Sequence, residues 1–234
     1  AKKILKLEKR RPLILNSNLS DLEKIYWLIE DTKRYGTLPF AGLARAGFIA
    51  IQLLRSLVSL DILTSKEYDD FLSSLKTISK DLSIDIQQLD RKSFLHTYGH
   101  LRPGTYEITS PRYDENPDEY FDWKNTESTE TIASDTNIFT LADSKKVVIQ
   151  TLLNNHELHV TTDELFSFFR SAIEWREKAK FIFTKNISDT LSLISKLGAQ
   201  YKLTKDDLTY TSIRLYLESY SNASLTQTLL SDAV

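Results

Sequence analysis

The chain of 234 residues carries 30 basic and 32 acidic side chains, a net charge of -2, and 41% hydrophobic residues. That length supports a sizeable core, and the near-balanced charge excludes a global field favouring nucleic acid or anionic lipid. With no Cys, disulfides, thiolate metal centres and cysteine nucleophiles are excluded together, which fits a reducing, cytoplasmic compartment.

Along the chain, Lys2, Lys3, Lys6, Lys9, Arg10 and Arg11 make a basic start that reads as a linker over residues 1–15. Ser20-Asp21-Leu22-Glu23 is a capping box opening a helix with Leu22, Ile25, Tyr26 and Ile29 on one face, and Gly36 is expected to close it. Pro39 suits a first helical position, after which Phe40, Leu43, Gly47, Phe48, Ile51, Leu54 and Val58 continue at helical spacing. Thr64-Ser65-Lys66-Glu67 is a second capping box, ahead of Phe71, Leu75, Ile78, Leu82, Ile86 and Leu89.

Residues 99–143 differ: they hold three of the five prolines, and Lys124–Thr131 reads as a polar mobile loop. Helical order is expected again from Ser144. Thr161-Thr162-Asp163-Glu164 caps a long helix bearing Leu165, Phe168, Phe169, Ile173, Trp175 and Phe181. A bend is expected at Asn186–Asp189, a stop at Gly198, and a last pair of helices from Thr204. The strand signals, Tyr106–Thr109 and His159-Val160, are short. The pattern predicts a mainly α fold: one helical domain over 16–234, with helical subregions 20–98 and 144–232, an ordered loop near 99–123 and at most a minor β-hairpin.

No run of about 18 uninterrupted apolar residues occurs, so no membrane span is expected, and the start lacks a signal-peptide cleavage pattern. The absence of Met, with Ala1 first, has two readings, a segment of a longer polypeptide or modified methionines left out of the sequence; the scarcity of glycine favours the segment but does not account for the missing Met. There is no G-x-x-x-x-G-K-[ST], G-x-G-x-x-G or G-x-S-x-G, and with six glycines a glycine-rich phosphate cradle is hard to build.

The densest set of chemically capable residues is His96 to Glu107, continuing through Ser110-Pro111-Arg112-Tyr113. Gly99 is expected to end a helix and release His100 and Arg102 onto a loop shaped by Pro103 and Gly104. Arg102 and Arg112 each suit bidentate binding of a carboxylate or phosphate. His100 or Glu107 suits proton acceptance. The competing reading is a buried loop whose Arg and Glu satisfy one another and nearby carbonyls. His96 and His100 are four apart but lack an H-E-x-x-H pattern and are separated by Gly99, so no metal site is expected. On the long helix, Arg170, Glu174 and Glu177 share one stripe and Arg176 and Lys180 another; a solvated charged face is the plainer reading.

The stretch YGHLRPGTYEITSPRYDE resembles the segment of phosphoenolpyruvate synthase/pyruvate phosphate dikinase-like, ATP-dependent phosphotransferases that joins the ATP-grasp domain to the swivelling phosphohistidine domain. The likeness rests on Tyr98, Gly99, His100, Arg102, Pro103 and Gly104, and Leu101, Thr105 and Tyr106 bring it nearest the glutamine kinase type. Thr37–Arg45 and Arg176–Thr184 are similar as well, so the resemblance spans roughly residues 30–215.

It implies a central domain that binds the phosphoryl acceptor, glutamine or another small carboxylate or amide. His100 and Glu107 would orient or deprotonate the nucleophile, and Arg102, Thr105, Tyr106, Arg112, Arg176 and Lys180 would bind substrate. ATP and Mg2+ are implied for the whole enzyme, and the partners are the two flanking domains of the same polypeptide. This chain lacks the glycine-rich ATP-grasp elements and the T-x-x-G-G-x-x-S-H-like swivel motif, so it is expected to be inactive alone. The alternative is a non-catalytic helical scaffold that docks those domains.

Overall fold

The computed structural model describes residues 2–123 and 139–220, and they form a mainly α structure with no strand among them. The polar run Lys124–Thr131 and the last part of the expected helical subregion, residues 221–232, lie outside them. Tyr106–Thr109 and His159-Val160 adopt turns and irregular backbone, so the minor hairpin is not formed there. Four-residue stretches without a pairing partner have nothing to hold them as strands.

The helices are α1 (Leu5–Leu15), α2 (Asp21–Asp31), α3 (Leu38–Ser59), α4 (Ser65–Ser73), α5 (Ile78–Gln88) and α6 (Arg91–Tyr98), then α7 (Pro117–Tyr120), α8 (Asp143–Asn155), α9 (Thr162–Gln200), α10 (Lys205–Leu208) and α11 (Ile213–Ser219). They divide between two compact units. One takes in residues 2–39, 85–123 and 180–220, the other 40–84 and 139–179.

In the first unit the basic start is helical. It forms α1, which buries Ile4, Leu7 and Ile14. Arg10 bonds the buried Asp31 at 2.6 Å, and Arg11 pairs with the buried Asp189. Ser20 and Glu23 form the expected capping box of α2. The helix does not stop at Gly36: a π-helical turn over Thr32–Thr37 carries it into α3. A Cβ on Gly36 would lie 2.8 Å from the Phe183 Cβ, so this glycine serves the close approach of α9 rather than a helix end. Ile25, Ile108, Ile194, Leu197, Leu208 and Tyr216 close a core between α2, α9 and the last two helices.

Continuity through that turn has a second consequence. The helical run Asp21–Ser59 holds an 18-residue window of mean hydropathy 1.4, of which 17% is buried. By length and composition it meets the requirement for crossing a membrane, which a search for uninterrupted apolar residues does not detect.

In the second unit, Leu54, Leu57, Phe71, Ile149, Phe169 and Ile173 anchor the core, each such side chain contributing about 1.5–3 kcal/mol on burial. Here the expected single helix after Thr64 divides into α4 and α5. Glu174 accepts from the Lys76 amide at 3.0 Å and Glu177 from the Ile78 amide at 3.2 Å. The carboxylates thus satisfy amides that open α5. Arg170 donates to the Ser74 carbonyl and hydroxyl at 3.0 and 3.1 Å. The charged stripe of α9 is therefore a capping surface for the α4–α5 corner rather than a solvated face.

Candidate functional site

Asp90 caps α6 by accepting from the Lys92 and Ser93 amides, and the helix ends at Tyr98, whose hydroxyl donates to Asp85 at 2.7 Å. From Gly99 the backbone leaves as a loop whose ends meet. The Tyr113 amide donates to the Leu101 carbonyl at 2.8 Å and the Asp114 amide to the Gly99 carbonyl at 3.1 Å. Closed, side-chain-filled loops of this size are frequent carriers of function.

Two arginines fix the loop. Arg102, only 6% exposed, donates to the Glu107 and Ser110 carbonyls at 3.3 and 3.1 Å, and across to Ser188 of α9, reaching its carbonyl at 3.4 Å and its hydroxyl at 3.2 Å. The Ser188 hydroxyl donates in turn to the His100 carbonyl at 2.6 Å. Arg112 grips Asp114 through Nε and Nη2 at 2.8 and 2.6 Å, and reaches Asp189 through Nη1 at 3.0 Å. Burial alone would lower its pKa, but the hydrogen bonds and charges of Asp114 and Asp189 raise it. Arg112 is thus occupied by the protein through all three of its nitrogens, whereas Arg102 is held through both Nη atoms and its buried Nε has no hydrogen-bond partner among the described residues.

His100 lies inward, 5% exposed, with its ring edge-on to Phe181 at 4.8 Å. Burial, together with the nearby charges of Lys185, Arg11 and Arg112, lowers its pKa to about 3, so the ring is neutral at physiological pH. Its Nε2 is buried and has no hydrogen-bond partner among the described residues.

Beyond this clasp the loop forms one wall of a cleft of about 670 Å3. Thr105, Tyr106, Glu107 and Ile108 face Leu191 and Ile194 of α9 and Leu208, Ile213 and Tyr216 of the last two helices. A cavity of that volume, mostly apolar with a few polar groups, is of the size and character that takes a small organic molecule.

The structure therefore separates the residues singled out in the sequence. Thr105, Tyr106 and Glu107 come together at the cleft; His100, Arg102 and Arg112 gather beneath the loop and do not line it. Arg176 belongs to the other unit, its guanidinium 5.3 Å from the Phe48 ring centre, and Lys180 is exposed on α9. His96 is exposed on α6 while His100 is buried past its end, and among the described residues no three His, Asp or Glu converge as a metal site would need.

Sequence reading missed Ser188 and Asp189, the anchors of the clasp, and the far wall formed by α10 and α11. A signal was present for the anchors. Asn186, Ser188, Asp189 and Thr190 are polar residues inside an apolar helical pattern, and all are buried. Such a cluster marks a helix face that receives donors, not the bend it was expected to make. Comparison with protein-family models, with curated proteins and with solved structures gives no match for this chain.

Proposed function

We propose that this chain is the acceptor-binding helical segment of a cytoplasmic, multidomain ATP-dependent phosphotransferase. In that enzyme an ATP-grasp domain, using ATP and Mg2+, would charge a phosphohistidine domain that delivers its phosphoryl group to the acceptor held here. One observation carries the reading: the Tyr98–Gly104 stretch opens the loop that walls a cleft of about 670 Å3, and Thr105, Tyr106 and Glu107 line it. Glu107, exposed at the rim, is the residue placed to orient or deprotonate an acceptor hydroxyl, amine or amide. Arg102, Arg112 and His100 support the wall in this reading instead of touching the acceptor.

The scaffold reading has its own observation, the complete engagement of Arg112 and the carbonyl-bonding of Arg102 by the fold. Isothermal titration with glutamine and a panel of small amides and amines separates the two. The acceptor-binding reading expects saturable one-to-one binding of at least one of them, weakened by Ile213→Ser at the far wall. Absence of binding across the panel leaves the scaffold reading standing.

A further inference from the structure

The cleft carries one formal charge, and its position limits what the cleft can hold. Of the residues lining it only Glu107 has an acidic or basic side chain. Its carboxylate accepts from the Thr109 hydroxyl at 2.8 Å and has no basic group within ion-pair distance among the described residues. The two arginines of the same loop are turned away: Arg102 meets the Glu107 carbonyl, not its carboxylate, and Arg112 is held by Asp114 and Asp189. Gly104 determines where the carboxylate lies. A Cβ there would sit 2.8 Å from Glu107 Oε2 and 2.9 Å from Glu107 Cβ, so the glycine lets the side chain fold back against the loop. Beside it stands the Tyr106 ring, 63% exposed. Ile108, Ile194, Leu208 and Ile213 supply the aliphatic part of the lining.

An uncompensated carboxylate and an exposed aromatic ring at the mouth of an apolar cleft are complementary to a protonated amine on an apolar body. An anionic ligand would meet like charge there and find no cation to compensate it. We infer that the cleft takes an amphipathic amine, its ammonium at Glu107 and Tyr106 and its apolar portion against Ile194, Leu208 and Ile213. This rests on the cleft being a small-molecule site, as proposed above, and narrows the acceptor from a carboxylate to an amine-bearing molecule.

Phenethylamine, 2-phenylethanol and 3-phenylpropionate share an aromatic body and differ at the head group, so titration of the chain with each separates the contributions. The amine should bind about three- to fivefold more tightly than the alcohol, the gain expected of one partly exposed ion pair, and the carboxylate most weakly. Glu107→Gln should bring amine and alcohol to equal affinity while leaving the alcohol unchanged. Gly104→Ala, which displaces the carboxylate, should do the same, and circular dichroism of both variants should match the parent chain. Equal binding of amine and alcohol to the parent chain, or tighter binding of the carboxylate, overturns the amine assignment while leaving a small-molecule cleft. Failure of all three to bind overturns the cleft reading itself.

Discussion

The loop is held by single residues whose removal has a calculable consequence. Arg102 supplies four hydrogen bonds to two loop carbonyls and to Ser188, all from a side chain 6% exposed. Arg102→Ala removes all four bonds from acceptors that are buried or partly buried, and should cost about 3 kcal/mol, read as a lower urea midpoint with unchanged slope. Arg102→Lys keeps the charge but not the planar fork, and should recover less than half of that loss. His100 gives a pH signature. With its folded pKa near 3 against an ordinary value of 6.5, the unfolded chain takes up a proton as pH falls below 6.5 and the folded chain does not. Lys185 of α9, Arg11 of α1 and Arg112 of the loop all oppose a charge on the ring. The stabilisation is complete above pH 6.5 and is lost as pH falls toward 3, at about 1.4 kcal/mol per unit. Denaturation of the parent chain and His100→Gln between pH 6.5 and 4.5 should show this slope in the parent and its absence in the variant.

At the scale of the elements, legibility follows the range of the interaction that makes each one. The capping boxes at Ser20/Glu23, Thr64/Glu67 and Thr161/Glu164 are read directly because both partners sit three residues apart, and all three form. The division of α4 from α5 was hidden because the amides that open α5 are satisfied by Glu174 and Glu177, about a hundred positions away. Gly36 misled for the same reason: its neighbour is Phe183, and no local pattern distinguishes a glycine kept for contact from one kept for a helix end. Gly42 is different. It lies within α3 with no described residue within 4 Å of an added Cβ, so no packing among the described residues requires it. Gly42→Ala should stabilise the chain by about 0.5–1 kcal/mol through helix propensity alone, seen as a raised Tm. The same change at Gly36 should lower it, because the new methyl meets Phe183.

Across the whole molecule, the mainly α class was legible because apolar periodicity and caps agree over most of the chain. The division into two units was not, since α3 and α9 each contribute residues to both and no composition change marks the boundary. The candidate site was half legible. The loop announces itself by its density of Tyr, Gly, Pro, Arg and Glu, but its far wall comes from α10 and α11, whose Leu208, Ile213 and Tyr216 carry no chemical motif. Nor does a sequence show whether an arginine faces a ligand or a carbonyl, and here both loop arginines face the protein.

The central claim, that the cleft behind the Tyr98–Gly104 loop is the ligand site, is tested most directly by methyl-resolved NMR of the isoleucines during titration with phenethylamine. Ile108, Ile194 and Ile213 line the cleft, while Ile149 lines an apolar groove of about 400 Å3 in the other unit. The account predicts saturable shifts of Ile108, Ile194 and Ile213 with Ile149 unmoved. Shifts confined to Ile149, or no shift at any of the four, would contradict it.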